Sequence, residues 1–254
     1  MPKRSVMGAE PAFIHVLGVR VAQMTRTQAL QEVERLHTGK SHAAVAFVNA
    51  HTLNLAASSP SFRQLLNEFA LVLNDGSGLA LAGRLAGAPF PENLNGTDFT
   101  PRVLALCAER GWPVFFLGGR PRVAQEAASA LTARFPGLRV VGVCDGYFTP
   151  EQSAGIAHSI RASGASVLLV AMGNPLQEEW LARWLPETGA RVGFGVGALF
   201  DFAAGRVSRA PLWVRRFGVE WLYRLVLEPS RLWRRYVLGN PLFVARVLWS
   251  KWVR

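Results

Sequence analysis

The sequence predicts an α/β fold in which a parallel β-sheet is covered by helices on both faces. Short apolar runs of strand length, such as ASVLLVAMG (165–173), alternate with helical segments of about 10 to 15 residues. Such runs carry few polar residues, as expected for strands that are buried on both sides. The chain has 254 residues, of which 50% are hydrophobic, and this is enough to form one substantial core.

In the first part of the chain, two short strands are expected around Gly18, within residues 12–23. A helix should follow from Thr25, a favourable N-cap residue, to about His37. Residues 42–49 have the length of a buried strand, and Ser59-Pro60 has the pattern of a helix start. FALVLND (69–75) is the next buried strand, and a helix rich in small residues should begin after Asp75.

From Trp112 onward the alternation is regular, without an internal repeat or a low-complexity linker. Strands with their following loops are predicted at 113–119, 138–146, 165–175 and 190–198. Helices are predicted at 121–135, 150–164 and 174–185. Repetition of strand and helix in this order is typical of crossover units that build a parallel sheet.

The composition changes near Arg206, which divides the chain into a body (1–205) and a basic, aromatic-rich C-terminal appendage (206–254). The formal net charge is +11, and the appendage holds eleven Lys and Arg against two Glu, so it accounts for +9 of that charge. Five of the eight tryptophans also lie there. An anionic partner is therefore expected, and nucleic acid, a phospholipid surface and a phosphorylated substrate all qualify.

The remaining composition favours a cytosolic globular protein. Cys107 and Cys144 are far apart and lack the spacing of a disulfide framework or a zinc site, which fits a reducing compartment. The N-terminus lacks the apolar core of a signal peptide, and no apolar run reaches the roughly 18 residues of a spanning helix.

Small and polar residues follow five of the predicted strands, and together they predict a nucleotide-sized crevice. Ligands of an open parallel sheet bind beyond the carboxyl ends of its strands, where glycines allow close approach and helix N-termini present N–H groups. None of these loops completes the GxGxxG-plus-acid fingerprint of dinucleotide binding. The strand-end residues are Asn49, Asn74-Asp75-Gly76, Gly118-Gly119, Gly173-Asn174-Pro175 and Gly195-Val196-Gly197.

For the polar residues of these loops, the sequence alone leaves two interpretations open. Asp75 is either a turn residue or helix cap, or a carboxylate at the mouth of a site. Gln177 is either an ordinary residue in the first turn of a helix or part of the pocket. Asp145 has the pattern of a turn residue, although its loop also faces the crevice. Asp98 has the pattern of a helix cap, together with Thr97. His51 lies near a strand end, where a surface role is favoured.

The sequence has no Asp-x-Asp, the metal–diphosphate signature of many sugar-nucleotide enzymes. A diphosphate bound here would therefore be neutralised by arginine, lysine and helix N-termini instead of Mg²⁺.

In the appendage, Trp213, Phe217 and Trp221 recur at every fourth residue, and Leu225 continues the stripe. Such a stripe fits an interfacial amphipathic helix and equally a helix packed on the body. PLFVARVLWSKWVR (241–254) has the stronger interfacial pattern.

Several segments, in colinear order over nearly the whole chain, resemble the WecG/TagA/CpsF glycosyltransferase family. The most specific are GNPLQE (173–178) and GVGALFDFAAGRVSRAP (195–211). The others are VNAHTLNLA (48–56), LNDGSGLALAGRLAG (73–87), PENLNGTDF (91–99), FFLGG (115–119), CDGYF (144–148), VAMGNPLQEEW (170–180) and GVEWLYRLVLEPSRLWRRY (218–236).

The resemblance implies a modified Rossmann-like domain whose helical appendage faces the membrane and closes over the site. It implies an inverting hexosyltransferase that moves a sugar, often N-acetylmannosamine, from a UDP-sugar to an undecaprenyl-diphosphate-linked saccharide in cell-surface polysaccharide synthesis. No metal and no cofactor are implied. The enzyme would act in the cytoplasm, peripherally at the inner face of the membrane, on an anionic lipid surface. Nucleic acid is not implied as a partner, and a homo-oligomer is left open.

By the same resemblance, Asp75 is the candidate general base. Candidate substrate-binding residues are Asn49, Asn93, Gln177, Arg224, Arg231 and Arg234. Candidate nucleotide-binding residues are Gly118, Gly119, Asp145, Gly146, Tyr147, Gly173, Pro175, Gly195 and Gly197.

The chain departs from the family pattern at three positions. Phe47 stands where many members have a threonine, Asn93 where many have an arginine, and Leu176 where lysine is common. These departures leave the donor sugar unassigned. Two alternatives of other kinds are a basic module that binds nucleic acid through the Trp/Arg appendage, and a dinucleotide-dependent oxidoreductase.

Overall fold

The computed structural model describes residues 12–252 and confirms the α/β fold class. Residues 1–11 and 253–254 lie outside the described residues. The first of these segments is the N-terminus that lacks a signal-peptide pattern, and the second is the end of the appendage. The strands are β1 Ala12–Val16, β2 Val19–Gln23, β3 Ala43–Val48, β4 Leu71–Asn74, β5 Val114–Gly118, β6 Val140–Cys144, β7 Val167–Ala171 and β8 Val192–Gly195. The helices of the body are α1 Arg26–Thr38, α2 Ala50–Ser58, α3 Pro60–Glu68, α4 Ser77–Leu85, α5 Gly96–Arg110, α6 Val123–Arg134, α7 Ser153–Ala162, α8 Leu176–Thr188 and α9 Leu199–Ala203. Those of the appendage are α10 Leu212–Arg216, α11 Glu220–Leu227, α12 Pro229–Trp233 and α13 Gly239–Trp252, with a π-helical segment, Arg234–Leu238, before α13.

Within the described residues, six strands form one parallel sheet in the order β4-β3-β8-β7-β5-β6. β1 and β2 form a separate antiparallel hairpin around Gly18, as the sequence predicts. The order of the parallel strands differs from the 3-2-1-4-5-6 order of the dinucleotide-binding fold. The sheet is thus Rossmann-like in its layers but not in its connections.

The core has two layers because alternate residues of each strand point to opposite faces of the sheet. On one face, α1, α5 and α6 pack against strand residues such as Phe116 and Phe194. On the other face, α2, α3, α4, α7 and α8 pack against residues such as Leu117 and Val170. All six strands therefore end at one edge of a rigid, two-sided core, and that edge is free to carry a site.

Local signals set the helix starts. Thr25 caps α1 in a capping box with Gln28, and Ser59 caps α3 with Pro60 at its first position, as predicted. Helices α2 and α9 of the body were not predicted, and the cap of α5 was predicted at Thr97 and Asp98 instead of Asn95. α2 begins directly at Asn49, and α5 begins at Asn95, whose side chain accepts from the Asp98 N–H at 2.9 Å. Asp98 is therefore not the cap but a first-turn residue of α5.

The appendage is helical, but its aromatic stripe is not on one helix. α10 ends before Phe217, and Gly218 adopts a positive φ of 72° before α11 starts at Glu220. Trp213 and Phe217 are therefore separated from Trp221 by a turn. They are 64% and 77% exposed, whereas Trp221 packs beside Tyr236 with its ring centroid 6.0 Å away.

The last helix anchors the appendage to the body. Phe243 and Val247 on one face of α13 are buried in the core layer that contains α2 and α4. Arg246 donates to the Asn54 carbonyl at 2.8 Å, and Asn54 donates to the Gly239 carbonyl at 2.7 Å. The sequence predicted that segment 241–254 lies at a membrane interface. In the described part of this segment, one face of the helix packs on the body. Within 12–252, no helix combines the length and the apolar character needed to cross a bilayer.

Candidate active site

A cleft of about 1870 Å³ lies along the carboxyl edge of the parallel sheet, under the appendage. The loops after β4 and β3 lie at one end, and the loop after β6 lies at the other. Neighbouring strands are separated by about 4.8 Å, so this edge is roughly 24 Å long. The cleft therefore passes the carboxyl ends of all six parallel strands.

At the β4 end, the backbone fixes Asp75 as the first residue after the strand. The Asp75 N–H donates to the Val48 carbonyl at 2.8 Å, which continues the β3–β4 pairing. The next N–H, that of Gly76, donates to the Asn93 side-chain oxygen at 2.9 Å. Gly76 has a φ of 89°, which an L-residue rarely adopts. The turn and the site are therefore the same structure, and the turn holds the carboxylate in the cleft.

Burial raises the pKa of the Asp75 carboxyl above its ordinary value of 3.8. A side-chain hydrogen bond from Asn49 and the charges of Arg235 and Arg224 lower the pKa again, while Glu220 raises it. Burial therefore has the largest effect on this pKa, and two cations and a hydrogen-bond donor oppose it. A carboxylate of raised pKa is a better proton acceptor than an ordinary one.

Asn49 has two functions in this arrangement. As the cap of α2, its side-chain oxygen accepts from the N–H groups of His51 at 3.0 Å and Thr52 at 3.2 Å. Because the oxygen is committed to the helix, the amide N–H₂ is the part available to the Asp75 carboxyl. The start of α2 therefore positions a donor for the candidate base.

The appendage supplies five arginines to the cleft: Arg206, Arg224, Arg231, Arg234 and Arg235. Arg224 lies over the Phe202 ring at 5.3 Å, and Arg231 pairs with Glu228 at 2.9 Å. The sequence did not indicate two of them, Arg206, which pairs with Glu126, and Arg235. Burial lowers the pKa of Arg235, and its charge acts on both Asp75 and His51.

His51 lines the cleft instead of lying on an ordinary surface. Burial, and then the charge of Arg235, lowers the pKa of its imidazole to about 4, so the ring is neutral at neutral pH. Its position two residues after the capping Asn49 is the one sequence signal that could have placed it here.

Gln177 lies in the cleft wall, but its polar atoms are used within the protein. Its oxygen accepts from the N–H groups of Gly173 at 3.2 Å and Gly197 at 3.0 Å. Its nitrogen donates to the buried Glu178 carboxylate at 2.8 Å. Gln177 therefore ties the loop after β7 to the loop after β8. It shapes the site, and its direct contact with a substrate remains a prediction.

The glycine loops differ in how they reach the cleft. Gly119, Gly146, Gly173, Gly195 and Gly197 line it, as predicted for a nucleotide site. Gly118 does not. A Cβ at Gly118 would meet the Ala171 backbone at 2.4 Å, so this glycine is needed for the close approach of β5 and β7.

Of the other predicted residues, Tyr147 reaches the cleft and is 68% exposed. Asp145 accepts from the Tyr147 N–H at 2.9 Å in a turn and does not line the cleft. Pro175 and Asn93 also lie outside its lining, the former before α8 and the latter under the Asp75 turn.

The departures from the family pattern shape the floor and rim. Phe47 is 5% exposed, lines the cleft and packs against Phe99, with ring centroids 6.1 Å apart. Leu176 is 60% exposed at the rim. Within residues 12–252, no three His, Cys, Asp or Glu side chains cluster as they would to hold a metal ion.

Two comparisons with known proteins bear on this cleft. The family model described as "Glycosyl transferase WecG/TagA/CpsF family" matches residues 14–254. The N-acetylglucosaminyldiphosphoundecaprenol N-acetyl-beta-D-mannosaminyltransferase of Bacillus spizizenii is 33% identical over 193 residues, which are 76% of this chain and 74% of that protein.

Proposed function

Since the chain belongs to the WecG/TagA/CpsF family of glycosyltransferases, we propose that it transfers a sugar from a UDP-sugar to an undecaprenyl-diphosphate-linked saccharide. The product would be an intermediate of a cell-surface polysaccharide. Membership of this family disfavours the two alternatives, a nucleic-acid-binding module and an oxidoreductase. By its name, the Bacillus spizizenii relative acts on a lipid-linked N-acetylglucosamine. We propose an acceptor of that class for this enzyme.

One observation carries the proposal. The Asp75 carboxylate lines the same cleft as Arg224 and Arg235 of the appendage, and the charges of both arginines lower its pKa. Glycosyl transfer from a nucleotide needs this combination, because a hydroxyl must lose a proton while a diphosphate gains negative charge. Here a carboxylate can accept the proton, and arginines in the same cleft can offset the negative charge of the diphosphate.

The reaction is a single displacement with inversion. The acceptor hydroxyl attacks the anomeric carbon while its proton passes to the Asp75 carboxylate. The new C–O bond forms as the bond between the anomeric carbon and the UDP oxygen breaks, and UDP leaves with that electron pair. Arg224, Arg231, Arg234 and Arg235 offset the charges of the leaving UDP diphosphate and of the lipid diphosphate of the acceptor, and the appendage that carries them helps to exclude water.

The nucleotide is proposed to lie over the strands away from Asp75. The loops after β8, β7, β5 and β6 present Gly197, Gly173, Gly119 and Gly146 to that part of the cleft. Tyr147 at its far end offers an exposed ring for a base. We further propose that no metal is required and that the enzyme works peripherally at the cytoplasmic face of the membrane.

Asp75→Asn tests the base. The amide preserves the size of the side chain and the turn but accepts no proton at neutral pH. With the correct donor, found by screening UDP-sugars against an N-acetylglucosaminyl-diphosphate lipid, we expect turnover to fall by at least about 10²-fold. The thermal unfolding midpoint should remain close to that of the wild type.

Glu151→Gln is the matched control, because Glu151 is an exposed carboxylate that also lines the cleft. Its turnover should stay near the wild-type level. If Asp75→Asn turned over as fast as Glu151→Gln, Asp75 would not be the base.

A further inference from the structure

The appendage contains a second cavity, an apolar groove of about 720 Å³ on the side of α11 and α13. One wall is formed by Trp221, Leu222 and Leu225 of α11, and the floor by Tyr236 and Val237 of the π-helical segment. The other wall comes from α13, where the lining residues are Asn240, Pro241, Val244, Ala245 and Leu248. We call this cavity the appendage groove.

The appendage groove is open to solvent although its lining is almost entirely hydrocarbon. Leu222, Val237 and Leu248 are 46%, 51% and 43% exposed. The opposite face of α13 is already used, because Phe243 and Val247 are buried against the body. An exposed apolar groove on a helix that is docked by its other face indicates a binding site for an apolar partner.

The groove and the catalytic cleft meet along one short stretch of chain. Arg234 and Arg235 line the cleft, and the next two residues, Tyr236 and Val237, form the groove floor. Leu238 and Leu242 line the cleft, whereas Pro241, just before Leu242, lines the groove. Leu238 and Leu242 are 56% and 46% exposed, so the ridge between the two cavities is itself apolar.

An occupant must therefore carry a strong anion at one end and hydrocarbon at the other. The arginines of the cleft match a diphosphate, and the groove begins within one helical turn of them. A polyprenyl diphosphate has this pattern, since the diphosphate is bonded directly to the first isoprene unit. A nucleotide or a free saccharide has no group that would fill the groove.

We propose that the appendage groove binds the first isoprene units of the lipid-linked acceptor while its diphosphate lies among the cleft arginines. This inference rests on the proposed function, because it assigns a place to the tail of the acceptor. It gives the enzyme a preference for a polyprenyl tail that is independent of adhesion to a bilayer. The lipid is thus held from its saccharide through its diphosphate to the start of its tail.

Binding in the absence of vesicles tests the groove directly. Farnesyl diphosphate carries three isoprene units, and ethyl diphosphate carries the same head group without them. Calorimetric titration of the wild type should show at least about tenfold tighter binding of farnesyl diphosphate, because each buried methylene group is worth roughly a fourfold gain in affinity. Equal affinities for the two compounds would overturn the proposal.

Ala245→Trp fills the groove from an exposed position, and Leu248→Asp places a charge in its wall. Both variants should lose the preference for farnesyl diphosphate and keep the wild-type affinity for ethyl diphosphate. Val226→Trp is the control, because Val226 is 74% exposed on α11 and does not line the groove. Farnesyl preference retained in both groove variants would also overturn the proposal.

The same variants separate the rival occupants. If Ala245→Trp reduced vesicle sedimentation or changed the oligomeric state while farnesyl preference persisted, the groove would serve a bilayer or a second copy, and the proposal would be wrong. A transfer assay distinguishes failure of the proposed function. Absence of transfer with every donor and acceptor would refute glycosyl transfer to lipid diphosphates, whereas the titrations would still decide what the groove binds.

Discussion

At the residue scale, Glu178 is a carboxyl whose protonation is coupled to folding. Its side chain is fully buried, and one oxygen accepts from Asn174 at 2.6 Å and from Gln177 at 2.8 Å. The other oxygen has no hydrogen-bond partner among the described residues. Burial raises the pKa of this carboxyl from 4.5 to about 7, against the lowering effect of Gln177, the backbone and Asn174.

The sign of the pH dependence follows from this raised pKa. Because the folded state binds the proton more tightly than the unfolded chain, the contribution of Glu178 to stability is greatest at low pH. It is lost as the pH rises from about 4.5 to about 7. The loss amounts to at most about 3 kcal/mol, since each pKa unit corresponds to about 1.4 kcal/mol.

Glu178→Gln should remove this dependence. The amide keeps an oxygen for Asn174 and Gln177 but carries no titrating proton. Relative to the wild type, the free energy of unfolding in urea should rise by up to about 3 kcal/mol between pH 5 and pH 8. Glu187→Gln changes an exposed carboxyl on the same helix and should follow the wild-type curve. Parallel curves for Glu178→Gln and the wild type would contradict the assignment.

Single residues were predicted from the sequence when their position was set by the strand that precedes them. Asp75 and Asn49 belong to this group, since both follow buried strands and the parallel sheet brings them together. Arg235 was missed because neighbouring residues of a regular helix point about 100° apart, whereas Arg234 and Arg235 both line the cleft from the π-helical segment, for which the sequence has no signal. For Gln177, the sequence could not show that its polar atoms are all used between loops.

At the element scale, an ion cluster ties the appendage to the start of α5. Asp98 contacts Arg209 at 2.7 Å and Arg215 at 3.3 Å, and Arg209 lies 3.9 Å from Glu220 at the start of α11. Burial alone would raise the pKa of Asp98, but its bonds to Arg209 and Asn95 outweigh burial and lower it. α11 carries Arg224, so this cluster sets the position of a cleft arginine.

Asp98→Asn should therefore impair catalysis more than stability. Partly exposed ion pairs contribute about 1 kcal/mol or less, so the thermal midpoint should fall by only about 2 to 4 °C. Turnover in the transfer assay should fall by about tenfold, because Arg224 is no longer held near Asp75. Glu92→Gln is the control, because it removes the Arg26–Glu92 pair, which is similarly exposed and lies within the body. Equal turnover of the two variants would exclude a positioning role for Asp98.

Helices and strands were predicted correctly where the local sequence contains a cap or a clear hydrophobic pattern. The caps at Thr25 and Ser59 and the strand–helix alternation after Trp112 were sufficient. α2 was missed because Asn49 was assigned to a strand end, although one side chain serves both the cap and the cleft. The strand order could not be predicted either, since it depends on the path of the crossovers and not on any strand's own residues.

At the scale of the whole molecule, charge and exposed aromatic groups are concentrated at one part of the chain. The appendage carries +9 of the net charge of +11, so the body is close to neutral. Within the described residues, the most exposed large apolar side chains of the appendage include Trp213, Phe217, Val226 and Trp249. Arginine beside exposed tryptophan and phenylalanine favours the interface of an anionic bilayer, where the charge meets lipid head groups and the rings enter the boundary.

We therefore expect the protein to sediment with anionic vesicles and to be released by salt. Near such a surface each Lys or Arg contributes on the order of 1 kcal/mol, and salt screens this attraction. Replacing both Trp213 and Phe217 by serine should weaken binding by about tenfold or more, since Trp213 on α10 and Phe217 directly after it are both exposed. Catalysis on a soluble, short-tailed acceptor should be unchanged in this variant, because neither residue lines the cleft or the appendage groove. Sedimentation that was equal with neutral and anionic vesicles would contradict a role for the charge of the appendage in membrane binding, and sedimentation unaffected by the double substitution would contradict a role for the two rings.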